Sequence, residues 1–207
     1  MSQGLNVSIL GGGSAYTPGL IQGFINKSED VPLDRLVLMD IDAHKLESVG
    51  SVARHMLENT LPQCKLELTT DRDQAIRNMD FIVCQIRVGG LQSRHIDESI
   101  PLKHGVIGQE TTGPGGLAMA LRTIPVMVEI AAEIQEKNPR AWLINYTNPT
   151  GLVAEAIMKT SEIRHISICD ELQQDSRSAY PGGRQGCLPG FHYTVFRRKF
   201  TSLSESS

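Results

Sequence analysis

What most constrains this chain is an alternation of short β-rich apolar runs with stretches of helical spacing. The runs fall at residues 6–10 (NVSIL), 35–40 (RLVLMD), 65–69 (KLELT), 81–86 (FIVCQI), 141–145 (AWLIN) and 165–169 (HISIC). Between them, apolar residues recur at helical intervals, as in Leu46, Val49, Val52, Ala53 and Met56. Near-continuous apolar runs belong to parallel strands, which bury both faces and require crossover connections. The pattern therefore specifies an α/β fold built on a doubly wound parallel sheet. Helices are expected at about 18–27, 44–59, around Ala75–Met79, at 117–137 and after Pro149. Pro125 is expected to kink or split the fourth of these. Residues 171–207 lack such periodicity. They are rich in Ser, Gly and Pro and read as an irregular tail appended to a single domain at 1–170.

Composition narrows the setting. A net charge of −3 over 207 residues argues against nucleic acid or an anionic membrane surface as the main partner. The start, MSQGLNVSIL, has no basic segment ahead of a long apolar run, and no stretch approaches the ~20 apolar residues that span a bilayer. Cys64, Cys84, Cys169 and Cys187 are widely spaced, which suggests neither a zinc ribbon nor a disulfide framework. A cytoplasmic protein is the expectation.

The chemistry-bearing residues cluster just after the expected strands. Gly11, Gly12, Gly13 and Ser14 follow the first strand and precede a helix. Such a turn lets a pyrophosphate approach backbone N–H groups at a helix N-terminus. Tyr16 replaces the third glycine of the usual fingerprint, and a merely tight turn is the plain alternative. Asp40 closes the second strand, where a carboxylate accepts from an adenosine ribose and repels a 2′-phosphate; NAD is thereby favoured over NADP in a Rossmann-like domain. An ordinary helix-terminal acid is the alternative there, and it explains Asp42 better. Three further groups lie beyond later strands: Arg87-Val-Gly-Gly with Arg94, the loop GQETTGPGG containing Glu110, and Asn145-Tyr-Thr-Asn148-Pro149. Glycines, a carboxylate and arginines suit an anionic, hydroxyl-rich ligand. Against this, Asn148 could be only a helix cap, the arginines only surface ion pairs, and Gly113–Gly116 only a turn. Cys169 in an apolar run is more often an inert core thiol than a ligand.

The segments GGGSAYTP, IRVGG, DESIPLKHGVIGQETTGPGG, LRTIP, NYTNPTG and SICD, in this order, resemble glycoside hydrolase family 4, most closely its 6-phospho-β-glucosidases. The match runs from about residue 6 to Asp170, the family's N-terminal part. The resemblance implies an NAD- and Mn²⁺-dependent glycosidase, an exception to the two-carboxylate rule. In the family, NAD⁺ takes hydride from C3 of the 6-phosphosugar, a metal polarises the ketone, a tyrosine removes the C2 proton, and the leaving group is eliminated. Water then adds and the hydride returns. By position, Gly11–Ser14 and Asp40 match the cofactor segment, and Arg94 and Asn148 match substrate-binding positions. Glu110 matches the acid that raises the basicity of the tyrosine, and Cys169 the metal-binding Cys. Asp170 falls where α-specific members carry a catalytic Asp and β-specific ones usually Asn, so a 6-phospho-α-glucosidase is the alternative. A 6-phosphorylated glucoside or disaccharide is the implied partner, and a homo-oligomer the implied assembly.

After Asp170 the sequence departs from the family: Cys169-Asp170-Glu171-Leu172 replaces C-[DN]-x-P, and His192 lies in GFHYT rather than in the family's metal-binding segment. A truncated or shifted frame is the expectation for 171–207, and with it NAD binding but negligible turnover. Two other functions fit the sheet and glycine turn alone: a hydroxyacid dehydrogenase of the Rossmann type, and a non-catalytic nucleotide-binding remnant. The Arg94, Glu110, Asn148 and Cys169 set weighs against the dehydrogenase, which would want a catalytic His–Asp pair and no thiolate ligand.

Overall fold

The computed structural model describes residues 4–169. These form six strands and six helices: β1 (Leu5–Leu10), α1 (Thr17–Asn26), β2 (Leu33–Met39), α2 (Ala43–Thr60), β3 (Lys65–Thr69), α3 (Arg72–Ile76), β4 (Phe81–Cys84), α4 (Gly90–Lys103), α5 (Gly113–Lys137), β5 (Trp142–Asn145), α6 (Thr150–Thr160) and β6 (Arg164–Ser167). All strand pairs are parallel, in the order β3-β2-β1-β4-β5-β6. This is the Rossmann order, with its topological switch point between β1 and β4.

Alternation along the strands feeds two cores. On one face Ile9, Leu36, Leu38 and Val83 pack with Ile21 of α1 and Leu46, Ala53 and Leu57 of α2. On the other, Leu10, Val37, Ile82, Cys84 and Leu143 pack with Met127, Ile130 and Ile134 of α5 and Val153 and Ile157 of α6. Strands buried on both sides explain why their sequences read as unbroken apolar runs. Asp42 caps α2, accepting from the backbone N–H of His44 and Lys45 at 3.1 Å each, so the helix-terminal reading of that acid holds. Those bonds, led by the one from Lys45, hold its carboxyl below the ordinary range.

Three expectations need correction. Pro125 does not split α5, which runs unbroken for 25 residues. The same helix begins at Gly113 rather than Leu117, so Gly113–Gly116 is its first turn and not a loop. The helix α4 was not expected at all. Its buried residues are Asp97 and Pro101, whereas Leu91, Ile96, Ile100 and Leu102 are exposed, so no inward apolar stripe marks it. No described helix is long and apolar enough to cross a membrane. The tail read at 171–207 and residue Asp170 lie outside the described residues.

Candidate functional site

Register places the strand ends in one row. Thr69, Met39, Leu10, Cys84, Asn145 and Ser167 pair in succession across the sheet. Gly11–Ser14, Asp40, Arg87, Asn148 and Cys169 each follow within four positions of that row, along the carboxyl edge where open α/β sheets bind ligands, whereas Arg94 lies on α4 and Glu110 just ahead of α5.

The glycine turn is built against its neighbours. The N–H groups of Gly11 and Gly12 both donate to the Met39 carbonyl, at 2.9 and 2.8 Å. Gly11 adopts φ +85°, and a Cβ there would lie 2.9 Å from the Gln85 carbonyl oxygen. At Gly12 a Cβ would lie 2.9 Å from Leu38 Cβ and 3.0 Å from the Met39 nitrogen, so the turn lies directly on β2. The Asp40 carboxylate closes the arrangement. One oxygen accepts from the Gly13 N–H at 2.9 Å and the other from the Asp42 N–H at 3.0 Å. A carboxylate has about four acceptor positions, so two remain for ribose hydroxyls. The cradle and its acceptor set fit a dinucleotide. Tyr16, at the third fingerprint position, is 70% exposed and packs nothing between helix and strand. Thr17, fully buried, takes that place.

Gln85, which the sequence reading passed over, ties this turn to β4. Its amide donates to Thr17 Oγ1 at 2.7 Å and to the Gly11 carbonyl at 3.2 Å. A polar residue closing an otherwise apolar strand was the available signal. One position on, the Ile86 N–H donates to Thr147 Oγ1 at 3.2 Å. Thr147 is held in turn by buried Asn145, whose Oδ1 accepts its N–H at 2.9 Å and whose Nδ2 donates to Ser167 Oγ at 3.2 Å. Buried amides and hydroxyls thus fasten the ends of β4, β5 and β6 together.

Beyond them sits a charge cluster. Arg87 Nη1 donates to Glu110 Oε2 at 2.6 Å, and Arg94 Nε lies 3.0 Å from the same oxygen and 2.8 Å from Glu98 Oε1. Glu98, and to a lesser degree Glu110 and nearby Tyr16, raise the Arg94 pKa above its already high value. Glu110 is largely buried, with 14% of its side chain exposed, so these are not loose surface pairs. The cluster holds two guanidiniums and two carboxylates at the mouth of the sheet, so its formal charges balance. Asn148 follows β5 and accepts from the Thr150 hydroxyl at 2.9 Å. It is not the cap of α6: that position falls on Pro149, joined to Asn148 by a cis peptide bond. Cys169 is half-buried two residues past β6. Among the described residues no three His, Cys, Asp or Glu side chains gather as a metal would require. Cys169 alone does not constitute a site for a hard divalent ion.

The described residues therefore define a Rossmann-type α/β domain with a cluster of paired arginines and glutamates at the carboxyl edge of its sheet. The family described as Family 4 glycosyl hydrolase matches residues 6–177, and the chain belongs to it. It is 49% identical over 168 residues to a probable 6-phospho-β-glucosidase of Bacillus subtilis (strain 168), covering 80% of this chain and 38% of that protein. A 6-phospho-α-glucosidase from gut microorganisms, solved in complex with NAD and Mn²⁺, superposes with a TM-score of 0.80 at 40% identity, over 85% of this chain and 41% of the other. The 6-phospho-β-glucosidase of Thermotoga maritima, solved with NAD and glucose-6-phosphate, gives 0.77 at 32% identity, covering 86% and 42%. The chain thus spans well under half the length of these relatives.

Proposed function

We propose that this chain carries the NAD-binding and phosphosugar-recognising part of a 6-phosphoglucosidase, with the β-anomer as substrate. The observation that carries the reading is the single row of strand ends, which sets the Asp40-anchored glycine turn beside Arg87, Arg94, Glu110 and Asn148. The relatives' names support the 6-phosphate, and among curated relatives identity of 49% to a β-glucosidase against 42% to an α-glucosidase supports the anomer.

Gly11–Ser14 and Asp40 hold the dinucleotide, which when bound supplies the hydride acceptor of the reaction. Asp40 orients the adenosine ribose and rejects a 2′-phosphate by charge. Arg94 and Asn148 bind the anionic sugar, the first as a fixed planar donor and the second through its amide. Glu110 holds the guanidiniums of Arg87 and Arg94 at one oxygen and so fixes where they lie. Cys169 would contribute one metal ligand; the described residues do not by themselves fit the ion, and no step is assigned to it here. Asp170, the remaining catalytic candidate, lies outside the described residues.

Calorimetric titration of the chain with NAD⁺, then with glucose 6-phosphate on the NAD-loaded protein, tests the reading. Saturable binding of both supports it. Glucose 6-phosphate heats no larger than those of glucose overturn the phosphosugar role. Hydrolysis of the p-nitrophenyl α- and β-glucoside 6-phosphates, with NAD⁺, Mn²⁺ and a thiol reductant, separates the anomers.

A further inference from the structure

The LRTIP segment contains an arginine to which the proposed function gives no part. Arg122 lies on α5 and reaches two different elements with one planar group. Its Nη2 and Nη1 donate to Asp97 Oδ2 and Oδ1, at 2.6 and 3.2 Å, and its Nε donates to the Val88 carbonyl at 3.0 Å. Nη1 also reaches the Ala118 carbonyl one turn back, at 3.5 Å. Asp97, on α4, has only 5% of its side chain exposed. Gly89, at φ +83°, begins α4, and a Cβ there would lie 3.0 Å from Arg122 Nε.

The elements joined in this way are those that carry the charge cluster. Arg87 precedes Val88 by one residue, Arg94 precedes Asp97 by three on α4, and Glu110 lies just ahead of α5. Backbone packing adds to the joint, since a Cβ on Gly115 would lie 2.9 Å from the Asp97 carbonyl and 2.2 Å from that of Gln109. A buried ion pair is weak evidence for stability, because apolar residues of similar volume often serve as well. What such residues cannot do is fix a carbonyl and a carboxylate in one plane. Lysine, a flexible point donor, cannot reproduce that fork either.

We propose that Arg122, through Asp97 and Val88, is a positioning residue that sets Arg87, Arg94 and Glu110 at the spacing an anionic sugar phosphate requires, without touching the ligand. The ligand part of this rests on the function proposed above; the positioning part does not. Errors of about 1 Å at such a centre cost ~100-fold in well-studied sites.

The test uses the full 207-residue chain and two variants. R122K keeps a cation opposite Asp97, and R122M combined with D97L removes both charges and leaves none buried alone. Proton exchange at Arg94 Nε, followed by nitrogen-15 NMR, reports directly on its bonds to Glu98 and Glu110. Exchange is expected to quicken about tenfold or more in both variants, with the amide shifts of Gly11–Gly13 and the NAD affinity unchanged. A folded variant with Arg94 exchange as in the parent overturns the proposal. So does one in which the glycine-turn amides move as much as Arg94, because the clamp would then be merely structural. Glucose 6-phosphate affinity should fall about tenfold alongside. Failure of the parent chain to bind that sugar would count against the proposed function, while the exchange data would still decide the role of Arg122.

Discussion

Replacing Asp40 with alanine should affect the fold and the cofactor by separable amounts. In the folded chain the carboxylate accepts from two backbone N–H groups, those of Gly13 and Asp42, and it is half-buried. A hydrogen bond to a charged group is worth about 1.5–3 kcal/mol, and an orphaned donor costs about as much again when water cannot reach it. Partial exposure lets water recover part of this, so a loss of about 3 kcal/mol is expected. For a body of this size each kcal/mol lowers Tm by roughly 2–4 °C, giving about 6–12 °C in all. Asp40→Asn retains one acceptor oxygen and can keep one bond, so about half of that loss should remain. Binding adds a second term, because two ribose bonds to the carboxylate are worth about 3 kcal/mol, or more than ~100-fold in NAD⁺ affinity. NADP⁺, repelled by Asp40 in the parent, should lose far less. Urea denaturation gives the first quantity and calorimetric titration at fixed ionic strength the second. Asp40→Ala with an unchanged midpoint would refute the role given to these two bonds. Equal binding of NAD⁺ and NADP⁺ by the parent would refute the ribose assignment.

Other expectations follow from single positions. Gly12→Ala should destabilise by about 1–3 kcal/mol through overpacking, since its methyl meets Leu38 Cβ at 2.9 Å. Gly23→Ala in α1, where nothing lies within 4 Å, should stabilise by about 0.5–1 kcal/mol; urea midpoints for the pair check both signs. Arg35 foremost, then Lys65, lower the Glu67 carboxyl from the usual 4.5 to about 2. Its contribution to stability is therefore complete above about pH 4.5 and lost as pH falls toward 2. Glu67→Gln should accordingly flatten the stability profile across that window and leave it parallel to the parent's at neutral pH. Burial pushes the Cys64 and Cys84 thiols up to about 11, so at pH 8 iodoacetamide should spare both until urea unfolds the chain, as peptide mapping would show.

The sequence by itself determined the sheet and which candidate residues follow its strand ends. Runs such as NVSIL and FIVCQI could be recognised because a strand buried on both faces must be apolar at every position, a demand that is local and periodic. Gly11–Gly13 could be recognised because only glycine tolerates the close approach of β2 and β4. Asp40 and Cys169 could be placed because strand ends follow directly from strand positions. Other features were decided only by tertiary structure. The helix α4 turns Asp97 and Pro101 inward and its leucines and isoleucines outward, so its pattern runs opposite to the periodicity that marks a helix in sequence. Pro125 did not split α5, whose Met127, Ile130 and Ile134 pack into the core beyond it; tertiary burial outweighed a local preference. Thr147 and Arg122 were invisible for a related reason, and Gln85 gave only the weak signal of a polar residue closing an apolar run. Each acts through partners far away in the chain: 74 residues between Gln85 and Gly11, 61 between Thr147 and Ile86, and 34 between Arg122 and Val88. A hydrogen bond across such a separation leaves no period or spacing in the sequence, because its geometry exists only once the sheet has brought the strand ends into one row.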